Sequence, residues 1–209
     1  MSLTTVPATM TTEGVTAAAL SAITASVALK ADDSATVHKT GNETIAGTKT
    51  FSNQPVLPQA LTQGTVVAST SGTSIDFSSI PSWVKRITVM LNGVSTSGTS
   101  RVQIQVGASG SVVTTGYASY TSDGGSTSTA GFILGGATAT DTRVGAHVLH
   151  LQDAATNKWI GSGVTNSSTS SAYTNVGNVT LAAALDRIRL TTVNGTDTFD
   201  AGSVNILYE

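Results

Sequence analysis

The stretch RITVMLNGV (86–94) decides the fold class, because apolar and polar residues alternate along it. Ile87, Val89 and Leu91 therefore fall on one face of an extended chain, which is the pattern of a strand with one side in a core. The same alternation recurs in three further stretches: RVQIQVG (101–107), DRIRLTTV (186–193) and SVNILYE (203–209). Turn-forming glycine, serine and asparagine fill the intervals. The pattern predicts an antiparallel β-sandwich or jelly-roll head over residues 61–209.

Upstream of this region, residues 13–30 have the spacing of a helix. They are rich in alanine, and Leu20, Ile23 and Val27 lie three and four positions apart, in one apolar stripe. So short a helix is marginal alone in water, and small residues beside a narrow stripe allow several copies to approach closely. We predict a short coiled coil of several parallel copies with these three residues at its interface. A single helix packed against its own domain is the alternative.

Residues 31–60 have too few large apolar side chains to form a core of their own. Glycines and threonines favour turns and extended structure, and two prolines exclude a central strand. Copies wound around a common axis would shield Ile45 and Phe51, so we predict an intertwined extended connector with both residues at the interface between copies. Residues 1–12 show no periodicity and are predicted to be an attachment arm.

The composition argues against several classes of partner. Charged residues make up 11 % of the chain, the formal net charge is −2 and no run of like charges occurs. Neither nucleic-acid binding nor membrane insertion is therefore expected. Serine and threonine make up roughly 30 % of the sequence, so the surface is predicted to be hydroxylated rather than ionic. Cysteine is absent and the first residues lack the pattern of a secretory signal, which predicts folding in a cytoplasm without disulfides.

No constellation of residues in the sequence predicts catalysis. The acidic residues are scattered, and no nucleophile elbow, zinc-protease helix or phosphate-binding loop occurs. His147 and His150 lie three apart on a predicted strand and would point to opposite faces, which suits ordinary strand residues better than one metal site. Different chains contributing one histidine each around an axis is the alternative. We expect no enzymatic activity, no metal and no cofactor.

Two polar stretches, residues 121–131 and 162–175, are predicted to be long loops between strands. Tyrosine offers a flat amphipathic face to a sugar or a protein, so the tyrosines beside these stretches are candidates for binding, although packing as wedges is an equal alternative. The candidate receptor-binding residues are Tyr117, Tyr120, Asp123, Tyr173 and Asn175.

Several of these stretches resemble bacteriophage tail-fibre sequences. The resemblance covers most of residues 64–209 and is most specific in IPSWVKRITV (80–89) and FDAGSVNILYE (199–209). The upstream HKTGNETIAGTKTF (38–51) is similar to connector segments that are common among fibres. The resemblance implies a homotrimeric fibre whose N-terminal part joins the baseplate or another virion protein. It also implies a distal β domain that faces the bacterial host. The chain departs from many fibres in being short.

Together these expectations predict one function and leave alternative functions open. The chain is expected to be a tail-fibre protein of the virion, made in the host cytoplasm. It would adhere to a surface polysaccharide or outer-membrane receptor through loops of the head. A decoration or connector protein that docks other phage proteins without touching the host is the main alternative. A monomeric lectin or a glycan hydrolase is disfavoured by the missing signal and the missing carboxylate pair.

Overall fold

The computed structural model describes one β-domain and a few residues before it. It describes residues 61–167 and 171–209, together with five isolated residues: Ala18, Ser21, Ala22, Gly47 and Thr48. The predicted arm therefore lies outside the described residues, as does the predicted coiled coil apart from Ala18, Ser21 and Ala22, and the predicted connector apart from Gly47 and Thr48. The same holds for all the predicted trimer-interface residues: Leu20, Ile23, Val27, Ile45 and Phe51.

In the described part of the chain every strand pairing is antiparallel. The prediction of a mainly β, antiparallel domain is confirmed. The strands are β1 Thr62–Gln63, β2 Val67–Ala68, β3 Ser74–Ser78, β4 Arg86–Thr96, β5 Val102–Ala108, β6 Ser111–Val112, β7 Ala118–Thr121, β8 Thr127–Ser128, β9 Phe132–Ile133, β10 Arg143–Asp153, β11 Lys158–Asn166, β12 Ala172–Thr180, β13 Leu185–Thr192 and β14 Phe199–Tyr208.

The strands form two sheets that exchange consecutive strands. The larger sheet has the order β1-β14-β4-β10-β11-β12-β7-β8, with β2 also beside β14. The smaller sheet has the order β3-β13-β5-β6, with β9 also beside β5. Because β3, β4 and β5 alternate between the sheets, as do β13 and β14, the arrangement has the interleaving of a jelly roll. The hairpin of β11 and β12 lies in the larger sheet between β10 and β7.

One apolar core lies between the inward faces of the two sheets. Alternate residues of β4 are buried, Ile87 and Val89 among them, as the sequence pattern predicts. The cluster continues through Ile104 of β5 and Ile188 of β13 in the smaller sheet. Trp159 is 2 % exposed and belongs to the same cluster.

The prediction of a long loop over residues 162–175 is wrong. Most of these residues belong to β11 and β12, which pair in register from Lys158↔Thr180 to Asn166↔Ala172. Glycine, serine and threonine suggested a loop, but here the hydroxylated residues lie mainly on an exposed sheet face while the glycines allow close packing on the inner face. Within residues 121–131 there is likewise a strand, β8, paired with β7.

The two ends of the domain differ in what they carry. Thr62 pairs with Tyr208, so the continuous described chain begins at the end of the sandwich where β14 finishes. We call this the proximal end. We call the opposite end the distal end. There β4, β7 and β13 finish, and the connections at residues 97–101, 122–126 and 193–198 join them to the strands that follow.

Candidate functional site

Tyr117 lies in the core and not at a surface. Its side chain is 3 % exposed and its ring meets Phe132 edge-on, with the centroids 5.3 Å apart. The hydroxyl accepts a hydrogen bond from the Val106 amide at 2.8 Å and donates one to the Val113 carbonyl at 3.0 Å. Burial raises the pKa of Tyr117 to about 12. The expectation that Tyr117 contacts a receptor is wrong, and the packing alternative is confirmed.

Asn175 is also buried, on the inner face of the larger sheet. It lies in one row with Gly163 and His147 on the two neighbouring strands. Because Gly163 has no side chain, the Asn175 carbonyl oxygen reaches across it to Nδ1 of His147. Both side chains are fully buried, so Asn175 is unavailable to a receptor and that expectation is wrong. His150 is exposed on the other face of the sheet, which confirms the predicted divergence of the two histidines.

Burial keeps His147 uncharged. Desolvation lowers its pKa from 6.5 to about 4, against the smaller opposing effect of the hydrogen bond that Nδ1 donates to Asn175 Oδ1. Its ring lies over Gly161, where an added Cβ would come within 2.4 Å of Nε2. A neutral, enclosed imidazole of this kind is a structural group of the core.

Tyr120 and Tyr173 occupy different surroundings. Tyr120 is 43 % exposed and points outward from β7. Tyr173 is partly buried, and its ring lies against Gly135 so closely that a Cβ there would be 2.3 Å from the ring Cγ. The five candidate residues therefore do not form one site, because they divide between the core, the outer sheet face and the distal end.

Asp123 is the candidate that stands at the distal end. Its carboxylate accepts hydrogen bonds from Arg101 Nε at 2.9 Å and from the Gly136 amide at 3.0 Å. One side chain thus ties together three segments of the chain at this end: the strand start at 101, the turn at 122–126 and the segment after β9.

Beside Asp123 the distal end forms an open groove with a volume of about 480 Å³. Its walls offer hydroxyl groups and the backbone of two adjacent glycines, and its apolar surface comes from one buried and one exposed aliphatic residue. We call it the distal groove, defined by Thr99, Ser100, Arg101, Gly124, Gly125, Ser126, Thr127, Ile133 and Val193.

A second groove, of about 350 Å³, shares Val193 with the first. It follows the outer face of the smaller sheet and is also lined by Gln105, Thr191 and Arg189. Arg189 donates to both carboxylate oxygens of Asp76, at 2.7 and 2.9 Å. Val193, 46 % exposed, therefore stands where two polar grooves meet.

A buried arginine holds the distal segments in place. Arg143 is fully buried, and its guanidinium donates to the Gly135 carbonyl at 3.2 Å and to the Gly136 carbonyl at 2.6 Å. Burial lowers its pKa, while the nearby Asp141 and Asp123 oppose that effect. An arginine fork that satisfies successive carbonyls in this way fixes the backbone between β9 and β10.

The connection after β13 is fixed by a second polar cluster. Asp197 accepts hydrogen bonds from Asn194 Nδ2 at 2.7 Å and from the Ser100 amide at 2.9 Å. The Asn194 bond, together with the Ser100 amide, lowers the pKa of Asp197. Gly98 passes so close to this carboxylate that a Cβ would lie 2.2 Å from Oδ2. Hydrogen bonds within the domain therefore fix the position of the groove wall at Ser100.

The chemistry of the distal groove is that of hydrogen bonding without net charge. Its cation, Arg101, is neutralised by Asp123, and the remaining polar groups are hydroxyls and backbone amides. Within residues 61–167 and 171–209, no three His, Cys, Asp or Glu side chains are grouped to hold a metal ion. Such a surface can exchange hydrogen bonds with a hydroxylated ligand and cover an apolar edge of it.

Sequence reasoning missed the groove residues Thr99, Ser100, Arg101 and Val193. Each of these residues flanks or follows a strand that the alternation predicts, so the sequence indicated the turns themselves. It did not indicate that the turns contact one another, since the Asn194 amide donates to Ser100 Oγ across 94 positions of sequence.

Comparison of the chain with protein-family models, with curated proteins and with solved structures finds no match. The resemblance to tail fibres therefore stays a prediction. In the described residues no helix is long and apolar enough to cross a membrane.

Proposed function

We propose that the chain is a homotrimeric bacteriophage tail-fibre protein that attaches to glycans on the bacterial surface through the distal groove. The observation that supports the proposal is that the start of the domain and the distal groove lie at opposite ends. The chain enters at the proximal end, beside Tyr208, and the open hydroxylated groove lies at the opposite end, among the turns of 97–101 and 122–126. A binding tip requires this order of attachment and contact.

The proposed ligand is a neutral, polyhydroxylated saccharide. Ring hydroxyls exchange hydrogen bonds with Thr99, Ser126 and the amides of the paired glycines, and Val193 covers an apolar face of a sugar ring. Since Arg101 is already paired with Asp123 at 2.9 Å, the groove has no free cation to select a strongly acidic glycan. Single contacts of this kind are weak, and three heads on one fibre raise the overall affinity by avidity, roughly 10² to 10⁴-fold.

The remaining parts of the proposal concern residues 1–60. Residues 1–12 join the baseplate or another virion protein, residues 13–30 form the coiled coil, and residues 31–60 form the connector. Light scattering on the full chain tests the trimer, for which the expected molar mass is three times 21.0 kDa.

A bulky side chain placed in the distal groove tests whether the groove is the site of adhesion. Thr99 is exposed and lines the groove, whereas Thr196 is exposed at the same end and lines neither groove. Thr99→Trp is expected to abolish adhesion, and Thr196→Trp, the same change outside the groove, is expected to leave it intact. The fluorescently labelled full chain is incubated with a panel of bacterial cells and with polysaccharide purified from each, and bound chain is counted.

Two outcomes would overturn the proposal. The first is the absence of retention on every cell type and polysaccharide. The second is retention that Thr99→Trp and wild type show equally, which would put the contact elsewhere. Release of reducing sugar from the polysaccharide would replace adhesion with hydrolysis as the activity.

A further inference from the structure

The exposed apolar side chains of the domain are concentrated on one surface. Eight large apolar side chains are exposed in the described residues, and five of them point outward from the larger sheet. We call this surface the outer apolar face, defined by Tyr120, Val144, Ile160, Val164 and Val176. Single exposed apolar residues are ordinary in soluble proteins, whereas a contiguous group marks a contact surface.

The strand register makes the face contiguous. Tyr120 pairs with Val176, Val176 with Ser162 and Ser162 with Val148, so these four form one row across four strands. In the next row Val164 lies beside Ala146. Side chains directly opposite on paired strands are about 5 Å apart, so Tyr120 and Val176 are neighbours, while Ser162 lies between Val176 and Val148. Val164 is diagonal to Val176, at about 7 to 8 Å, which is still within reach of long side chains.

The same face carries little charge. Apart from Tyr120 itself, the titratable side chains that point outward on these strands and on β4 are Arg86, His150, Asp153 and Lys158, and the pairing of each places it towards the proximal end. Asp153 pairs with Lys158, and Ile160 shares its row with His150 and Arg86. The rows that contain Tyr120 and Val164 hold only apolar and hydroxylated or amide side chains. Two identical copies of such a surface meet without repulsion between like charges.

The size of the face indicates what kind of partner covers it. Four strands about 4.8 Å apart and six residues of about 3.3 Å rise give a flat area of roughly 400 Å². Stable complexes between free proteins bury about 800 Å² on each partner. The outer apolar face is therefore too small to capture a separate protein on its own. It is large enough for copies that are already tethered, because tethering raises the effective concentration to about millimolar.

We infer that the outer apolar face packs against a second copy of this chain. The inference names the surface through which the heads of the proposed fibre associate, and it rests on that proposed function for the tether. It assigns Tyr120 to contact between heads rather than to the receptor, and it leaves the distal groove free.

Cysteine labelling tests the inference, since the chain has no cysteine of its own. Val176→Cys places a thiol on the outer apolar face, and Val193→Cys places one beside the distal groove. The two valines are a matched pair, because they are 48 % and 46 % exposed in the isolated domain. The full chain carrying either change is reacted with a maleimide, and its molar mass is measured by light scattering at the same concentration. Unfolding in urea gives the reference rate for each thiol.

If the face is covered by a second copy, the thiol at 176 reacts at least about tenfold more slowly than the thiol at 193 in a chain whose mass is a multiple of one copy. Equal rates would overturn the inference. So would slow reaction at 176 in a chain of single-copy mass, since the chain's own residues or another molecule would then cover the face. The outcomes that would overturn adhesion through the distal groove, namely no retention or equal retention of Thr99→Trp and wild type, have no effect on these rates. Failure of the inference and failure of the proposed function are therefore distinguishable.

Discussion

Acidification is expected to destabilise the domain through His147. The side chain is buried and its pKa is lowered from 6.5 to about 4. In the unfolded chain the imidazole binds a proton below about pH 6.5, whereas in the folded domain it does so only below about pH 4. Between these values the unfolded state binds more protons, so the stabilisation is complete above pH 6.5 and is lost as the pH falls towards 4.

The size of the effect follows from the shift of the pKa. One unit corresponds to about 1.4 kcal/mol, so the whole shift is worth about 3 kcal/mol. Lowering the pH from about 7.5 to about 5 takes away about 2 kcal/mol of this, since the folded imidazole is still mostly neutral at pH 5. In a marginally stable domain that is a large fraction of the free energy of unfolding.

Urea unfolding at the two pH values, for wild type and for His147→Gln, measures the effect. The variant is expected to lose about 2 kcal/mol less than wild type on acidification, because glutamine does not titrate. His150→Gln is the control, and since His150 is exposed it should behave as wild type does. The reasoning is refuted if His147→Gln and wild type lose the same free energy. Should the variant fail to fold, an NMR titration of the wild-type ring decides the point, since protonation near pH 6.5 in the folded domain contradicts the shift.

Three further changes test how the core and the distal end are held together. Arg143→Met should cost roughly 3 kcal/mol of unfolding free energy, because two buried carbonyls lose a charged donor. Arg189→Met removes an exposed ion pair and should cost less than about 1 kcal/mol. Similar midpoints of urea unfolding for the two variants would argue against the buried network. Tyr117→Phe should cost about 1 to 2 kcal/mol through its two lost hydrogen bonds, and Tyr120→Phe close to none, again by urea unfolding. Gly163→Ala should lower the melting temperature sharply, because the new Cβ would meet a backbone carbonyl oxygen at 2.2 Å; an unchanged melting curve would show that the two strands can separate at no cost.

The polar composition of residues 162–175 wrongly predicted a loop where β11 ends and β12 begins. Serine, threonine and glycine are typical of loops, and these residues include few large apolar side chains. The glycines are nevertheless required inside the sheet. At Gly161 and Gly177 a Cβ would come within 3.1 and 2.9 Å of the Phe132 ring, so the phenyl group packs directly against the strands. A glycine that admits a distant aromatic ring and a glycine in a turn are identical in sequence.

The sequence by itself determined the class of the domain and most of its strands. Alternation such as that of Ile87, Val89 and Leu91 is a local property, because successive side chains of a strand point to opposite faces. Only the tertiary structure decided which of the candidate residues are buried and which are exposed. Tyr117 is buried against Phe132 of another strand, and Asn175 is buried beside His147, 28 positions away. Arg101 meets Asp123 because strand order brings two turns to one end. Such contacts depend on how the sheets exchange strands, and no local pattern encodes that exchange.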